Sequence, residues 1–327
     1  MSEINLDIIP LTKEAFSGIP NAGVTQPILD NIRAAGYLTM NQLAYTPERK
    51  LAEEAKIEES TAAKYTNLAR LLISPGFITA EALHTKQQNA VRLSTGSTQL
   101  DRLFSGGIEA GSITEIAGEF GSGKSQLVYT AAVLATQRET KNHVLIIDSE
   151  GTTKVERLLQ IADERKLDRN KIFTNILIAR AYNSDHQRIL IRSLNEMATQ
   201  QDVGLIAVDS IIAHLRSEYT GRGTLAERQQ TLSDMLRMLS AVASANEIAV
   251  LITNQMQSKP DQFFGGDPNK PVGGHIIGHM ATYRTITRKG RGNSRIIEMV
   301  DSSYIPQEKV RVAVTAAGIV DEGDADE

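Results

Sequence analysis

Gly118-Glu119-Phe120-Gly121-Ser122-Gly123-Lys124-Ser125 matches the pattern G-x-x-x-x-G-K-[ST]. An apolar, strand-like run, Ser112–Ala117, precedes it, and a helical pattern, Lys124–Arg138, follows. Strand, glycine loop and helix is the order that lets backbone N–H groups wrap phosphate oxygens at a helix amino terminus. In that setting Lys124 reaches the β- and γ-phosphates of ATP, and the Ser125 hydroxyl ligates Mg²⁺.

Around this loop the chain alternates between strand and helix patterns. Strands are expected at His143–Asp148, Ile172–Ala179, Gly204–Asp209 and Ile248–Asn254, with helices at Ser184–Gln200 and Leu225–Ala245. That alternation implies an α/β fold with a mostly parallel sheet covered by helices. Short segments at Thr282–Arg288, Arg295–Val300 and Lys309–Thr315 extend it as antiparallel strands. In such sheets ligand-facing residues collect at the carboxyl ends of the strands. Asp209, closing Leu205-Ile206-Ala207-Val208-Asp209, is a helix cap if taken alone; beside a P-loop it becomes a Mg²⁺-organising Walker B carboxylate. Glu150, just past the strand ending at Asp148, is either a solvated loop acid or the carboxylate that orients water for hydrolysis. Gln255 ends the strand running into Thr253-Asn254-Gln255, where an amide can sense the γ-phosphate.

Four stretches divide the chain: a small all-helical unit over 1–72, a linker over 73–91, the ATPase core over 92–320 and an acidic, disordered tail over 321–327. Helical spacing recurs in Pro27–Ala35, Met40–Ala44 and Ser60–Leu72, with Gly36 just past a helix end. Ser74-Pro75-Gly76 then breaks the pattern. In the linker Phe77, with Ala80 three residues on, either packs on its own core or anchors in a pocket of another copy, while extended linker backbone adds to a sheet edge. Gly18–Gly23 would be the turn of a helix-hairpin-helix unit, and nine acids against seven bases in residues 1–72 give that unit no obvious basic face. Duplex binding and plain protein packing both stay open for it.

The chain carries 35 basic and 39 acidic residues, a net charge of −4. Five of the acids lie in 321–327, which leaves the rest balanced. Ala281–Arg295 holds Arg284, Arg288, Lys289, Arg291 and Arg295 with no acid, either a solvated face or a polyanion contact. Arg216, Arg222 and Arg228 flank Gly221 and Gly223, which suits a loop that forks guanidinium groups onto phosphates. Met256–Gly274 holds Pro260, Gly265, Gly266, Pro268, Pro271, Gly273 and Gly274, so neither a stable helix nor a central strand is expected there. A structureless stretch of that length is either a functional loop or disordered. Phe263-Phe264 within it reads as a buried anchor in preference to a base-stacking pair. There is no cysteine, which excludes disulfides and thiolate chemistry, and no membrane span or signal peptide is read, so a cytoplasmic protein is expected.

Taken together, Gly118–Gln126, Asp148–Thr152, Gly221–Gln230, Thr253–Gln255 and Gly273-Gly274-His275-Ile276-Ile277-Gly278-His279 resemble the RadA family of archaeal recombinases over nearly the whole chain. The resemblance implies a RecA-like P-loop ATPase core, ATP held between adjacent protomers, filaments or DNA-free rings, and single- and double-stranded DNA as partners. It makes Glu150 the catalytic base, with Lys124 and Gln255 assisting, and extends the ATP site to Gln126. Arg157 would stack on adenine, Asp301 and Pro306 would cap the neighbour's nucleotide, and His279 would lie near that boundary. Arg216, Arg222, Arg228, Gly273 and Gly274 would contact DNA, Phe77 and Ala80 would drive polymerisation, and K⁺ would assist at Asp301. Thr153 stands where the family usually has Phe, Val155 where it has Pro, and Ser125 where it has Thr. The expected activity is DNA-dependent ATP hydrolysis coupled to homologous pairing and strand exchange in recombinational repair. A non-recombining paralogue that loads or regulates the recombinase is the alternative.

Overall fold

The computed structural model describes residues 9–73, 78–221, 223–258 and 269–323. Two compact units emerge: residues 1–90 with 195–200, and residues 91–194 with 201–327. Among the described residues no helix is long and apolar enough to cross a membrane.

In the first unit a 3₁₀ turn at Glu14–Phe16 precedes α1 (Gln26–Ala34), α2 (Met40–Tyr45), α3 (Glu48–Ala55) and α4 (Glu59–Ile73). Thr39 and Gln42 cap α2 reciprocally, each side chain satisfying a backbone donor of the other. Gly36 terminates α1 at φ +91°, a conformation that costs glycine nothing. Leu29, Ile32, Leu43, Leu51 and Tyr65 form a core of their own. α3 had no forecast, because its sequence ERKLAEEA offers only Leu51, Ala52 and Ala55 as apolar positions, of which Leu51 and Ala55 are buried. The span read as linker is partly helical. α5 (Ala80–Gln88) starts at Ala80 on a Thr79 cap that accepts from the Ala82 amide at 3.1 Å. Phe77 lies outside the described residues.

The second unit opens with a two-stranded ribbon, β1 (Arg92–Leu93) and β2 (Ile108–Glu109), around α6 (Thr98–Leu103). Then come β3 (Ile113–Gly118), α7 (Lys124–Thr136), β4 (His143–Asp148), α8 (Val155–Glu164), α9 (Arg169–Asn175), β5 (Ile176–Arg180) and α10 (Ser184–Gln200). β6 (Val203–Asp209), α11 (Ala213–Glu218), α12 (Leu225–Asn246), β7 (Ala249–Ser258), β8 (Asn269–Pro271) and α13 (Gly274–Met280) follow. The chain closes with β9 (Tyr283–Lys289), β10 (Ser294–Ser302), β11 (Lys309–Thr315) and β12 (Gly318–Asp321). Among the described residues one sheet runs β12-β11-β10-β9-β3-β7-β6-β4-β5, parallel from β9 through β5 and antiparallel from β9 to β12. β3, β4 and β6 are almost wholly buried runs, as strands covered on both faces must be.

Three expectations need correcting. Ile172–Ala179 is not one strand: Asp168 accepts from the Asn170 amide at 2.9 Å, caps α9, and delays the strand to Ile176. A short apolar run does not separate helix from strand by period alone. Nor is Met256–Gly274 structureless throughout, since β7 continues to Ser258 and pairs with β8 in the register Met256↔Pro271. Residues 259–268, with Phe263 and Phe264, lie outside the described part. Finally, Asp321 is no tail residue: it ends β12, accepts from the Gln99 amide at 3.0 Å and also bonds the Ser97 hydroxyl.

Candidate functional site

The parallel register brings the carboxyl ends of four strands level: Gly118 faces Gln255, and Asp148 faces Asp209. Above them opens a cleft of about 650 Å³ lined by Gly118–Gly121, Gly123–Gln126, Tyr129, Glu150, Thr152, Asp209, Arg216, Gln255, Met256 and Arg295. The glycine loop is built for backbone approach. Gly121 and Gly123 sit at φ +71° and +100°, and a Cβ on Gly118 would lie 2.6 Å from the Thr287 carbonyl. Gly123 offers α7 no side-chain cap, so the first N–H groups of that helix keep their donors for a ligand. The Lys124 ammonium bonds the Gly118 and Glu119 carbonyls at 3.0 and 2.9 Å. Burial lowers its pKa, while Asp209 and Glu150 pull it back up.

Asp209 is almost fully buried at the end of β6. Its Oδ1 accepts from the Thr253 hydroxyl at 2.5 Å, and its Oδ2 has no hydrogen-bond partner. Burial raises its pKa, and the neighbouring Ser125 and Thr253 hydroxyls and Lys124 counter that rise. An orphaned buried carboxylate oxygen beside a hydroxyl is a hard donor pair that suits Mg²⁺. Among the described residues no cluster of three His, Cys, Asp or Glu would hold a metal unaided. Mg²⁺ commonly takes one or two protein oxygens and completes its shell with phosphate and water.

The Glu150 loop is fixed from beneath. Asp148 accepts from the amides of Glu150 (3.0 Å), Gly151 (2.5 Å) and Thr153 (3.0 Å), and Arg180 stands 3.6 Å away. Gly151 adopts φ +69°, and any Cβ there would overlap the Arg180 guanidinium. Glu150 Oε1 accepts from the Ser210 hydroxyl at 3.1 Å and from Gln255 Nε2 at 2.8 Å. Gln255 Oε1 in turn accepts from Arg216 Nη1 at 3.1 Å. A hydrogen-bonded chain thus runs from the β4 loop to the end of β7 and on to α11.

Twelve sequence-selected residues meet in this cleft, and the others lie elsewhere. Ser122 is buried beneath the loop, its hydroxyl unpartnered. Arg157 does not line the cleft: its guanidinium bonds Gln126 at 2.8 Å, Gln160 at 2.6 Å and the Thr315 and Ala316 carbonyls, fastening α8 to the last hairpin. Asp301 stands on β10, 3.7 Å from Arg284, with exposed Pro306 in the loop beyond. Gly273 and Gly274 start α13, where His279 stacks on His275 with centroids 6.4 Å apart. Arg228 is half-exposed in the first turns of α12, and Arg222 lies outside the described residues. The basic run 281–295 is only partly a solvated face. Arg284 pairs with buried Glu115 at 2.6 Å and Arg288 with Glu298 at 2.5 Å, while Arg295 enters the cleft. Arg295 was readable as a member of that acid-free run and Thr152 as the end of the string Asp148–Thr152; Tyr129 carried no such signal.

A helical segment followed by this mostly parallel sheet, with its glycine loop between β3 and α7, defines a RecA-like P-loop ATPase fold preceded by a helical domain. The family model for Rad51 matches residues 86–322, more than two thirds of the chain, and the chain belongs to that family. Membership implies ATP binding and hydrolysis, DNA binding, assembly into filaments and a role in DNA recombination.

Proposed function

We infer that this chain is a RadA-type strand-exchange recombinase, which assembles on single-stranded DNA with ATP and pairs it with homologous duplex. The observation that carries the reading is the hydrogen-bonded chain Arg216–Gln255–Glu150–Ser210. It joins a carboxylate in the nucleotide cleft directly to two segments read as DNA-gripping, which an isolated nucleotide switch would not need.

The glycine loop and the amino terminus of α7 bind the phosphates through backbone N–H groups, and Lys124 adds charge at the β- and γ-oxygens. Ser125 and Asp209 would hold Mg²⁺, which would supply positive charge against the phosphates. Glu150 orients the attacking water and takes its proton. Its loop, braced by Asp148, limits where that carboxylate points, and Gln255 shares Glu150 Oε1 with Ser210. DNA that engages Arg216 withdraws a donor from Gln255, so the amide is free to move and the carboxylate is released toward water. Arg222 and Arg228 grip phosphates without reading bases, which leaves the bases available for pairing.

For assembly, β5 supports the filament reading. It is one of the two edge strands of the sheet, and among the described residues nothing pairs with its outer edge. Ile178, Tyr182 and Ile189 are exposed beside it, an apolar surface suited to Phe77 and Ala80 of a second copy. A head-to-tail contact of this kind generates open helices or rings.

The test is a strand-exchange assay with ATP on homologous and non-homologous duplexes. Product is expected only with homology, and none with Lys124→Ala. Single-strand binding and hydrolysis with no joint product would favour a non-recombining paralogue instead.

A further inference from the structure

Asp301–Pro306 carries two residues assigned above to a neighbour's nucleotide, yet beyond Ser302 it belongs to no strand, and most of it is exposed. Two adjacent residues of β9 fasten it. A bulge between Met299 and Asp301 shifts the register so that Arg284 faces Asp301 and Tyr283 faces Ser302. Arg284 reaches Asp301 at 3.7 Å while its Nε is held by buried Glu115 at 2.6 Å. Tyr283, fully buried, donates its hydroxyl to Glu109 at 2.5 Å, and its oxygen lies 3.0 Å from that of Tyr304.

A phenol has one proton. With Tyr283 donating to Glu109, Tyr304 donates to Tyr283 and accepts from Arg92 Nη2 at 3.4 Å. Arg92 is itself held by Glu109 at 2.5 Å and by the Phe104 carbonyl at 2.8 Å. Burial, with Glu109 alongside, pushes Tyr283 far above the ordinary phenol range, so this donor persists at any working pH. Tyr304 is 58% exposed, and besides one edge-to-face contact of its ring with Tyr283, centroids 6.3 Å apart, its hydroxyl is what ties it to the core.

We propose that Tyr304 is a positioning residue whose hydroxyl, gripped by Tyr283 and Arg92, holds Asp301–Pro306 in the shape that meets the nucleotide of a second copy of this chain. The inference rests on the neighbour-capping reading of Asp301 and Pro306. A loop already held in its binding shape loses less freedom on contact, so the tether strengthens ATP binding in the assembly. The β1–β2 ribbon, where the linker enters the core, is the fixed end of the tether.

The experiment uses the full-length protein and the variants Tyr304→Phe and Tyr283→Phe, which keep the rings and remove the hydroxyls. Without nucleotide, amide hydrogen exchange over residues 302–308 is expected to rise about three- to tenfold in both variants. With ATP, Mg²⁺ and an oligothymidine, KM for ATP should rise by about the same factor and kcat change less. The double variant should be no worse than Tyr304→Phe, since the two hydroxyls act as one unit. Unchanged exchange in Tyr304→Phe overturns the tether whatever the activity does. Raised exchange with an unmoved KM overturns the positioning role and the capping reading with it. Wild-type protein that oligothymidine does not stimulate fails the proposed function, with the exchange result still deciding the tether.

Discussion

The two rims of the nucleotide cleft are held in opposite ways. On the β4 side Asp148 accepts from three backbone amides of the Glu150 loop, and Gly151 holds φ +69°, a conformation that a side chain would strain. On the α11 and β7 side a single amide, Gln255, bridges to Arg216, the sequence between α11 and α12 holds Gly221, Arg222 and Gly223, and half-exposed Arg228 stands in the first turns of α12. Hydrolysis needs a carboxylate fixed to a fraction of an ångström. A polyanion of any sequence is better met by unspent donors on a backbone that adapts. On the proposed reading, chemistry and grip are built on different sides of one site, and among the described residues Gln255 is the side chain that links Glu150 to Arg216.

That contrast can be broken from either side. The largest effect is expected from Glu150→Gln, which keeps the loop and the Gln255 contact but removes the base. ATP hydrolysis should fall by about 10²- to 10⁴-fold with ATP binding retained, read by turnover beside nucleotide-binding titration. Loss of binding as well would mean Glu150 serves the fold instead.

Asp209→Asn should also abolish Mg²⁺-dependent turnover, with an opposite effect on stability. Burial raises the Asp209 pKa in the folded state. The folded chain therefore binds that proton more readily than the unfolded chain, and wild-type stability falls as pH rises through the elevated value. Metal-free thermal melts should show the variant gaining on wild type as pH rises across that window. A difference between the two proteins that does not change with pH would contradict the burial argument.

The smallest effect belongs to the gripping side. Arg228→Ala should weaken single-stranded DNA binding equally for all sequences and reduce the salt slope by about 1, because one phosphate contact is lost. Sequence-dependent loss in a salt series of titrations would indicate base readout instead.

Much of the site was legible because its residues sit in local patterns. The glycine loop, Asp209, Glu150 and Gln255 each follow an apolar strand, and the parallel register does the rest. What escaped depends on distant partners. Arg157 meets Thr315 and Ala316, Arg92 meets Tyr304 some two hundred residues on, and Glu115 meets Arg284. None of these pairings leaves a periodic trace. The β7–β8 hairpin was hidden for another reason: its prolines and glycines argue for a loop, and Pro271 fits β8 because that strand is three residues long and, among the described residues, pairs only with β7.

The central claim is that Gln255 carries the signal between DNA and the Glu150 carboxylate. The direct measurement is the ratio of ATP turnover with and without a single-stranded oligonucleotide, in wild type and in Gln255→Ala. Wild type should be stimulated and the variant should turn over ATP at one rate in both conditions. Equal stimulation of the two proteins would contradict the account.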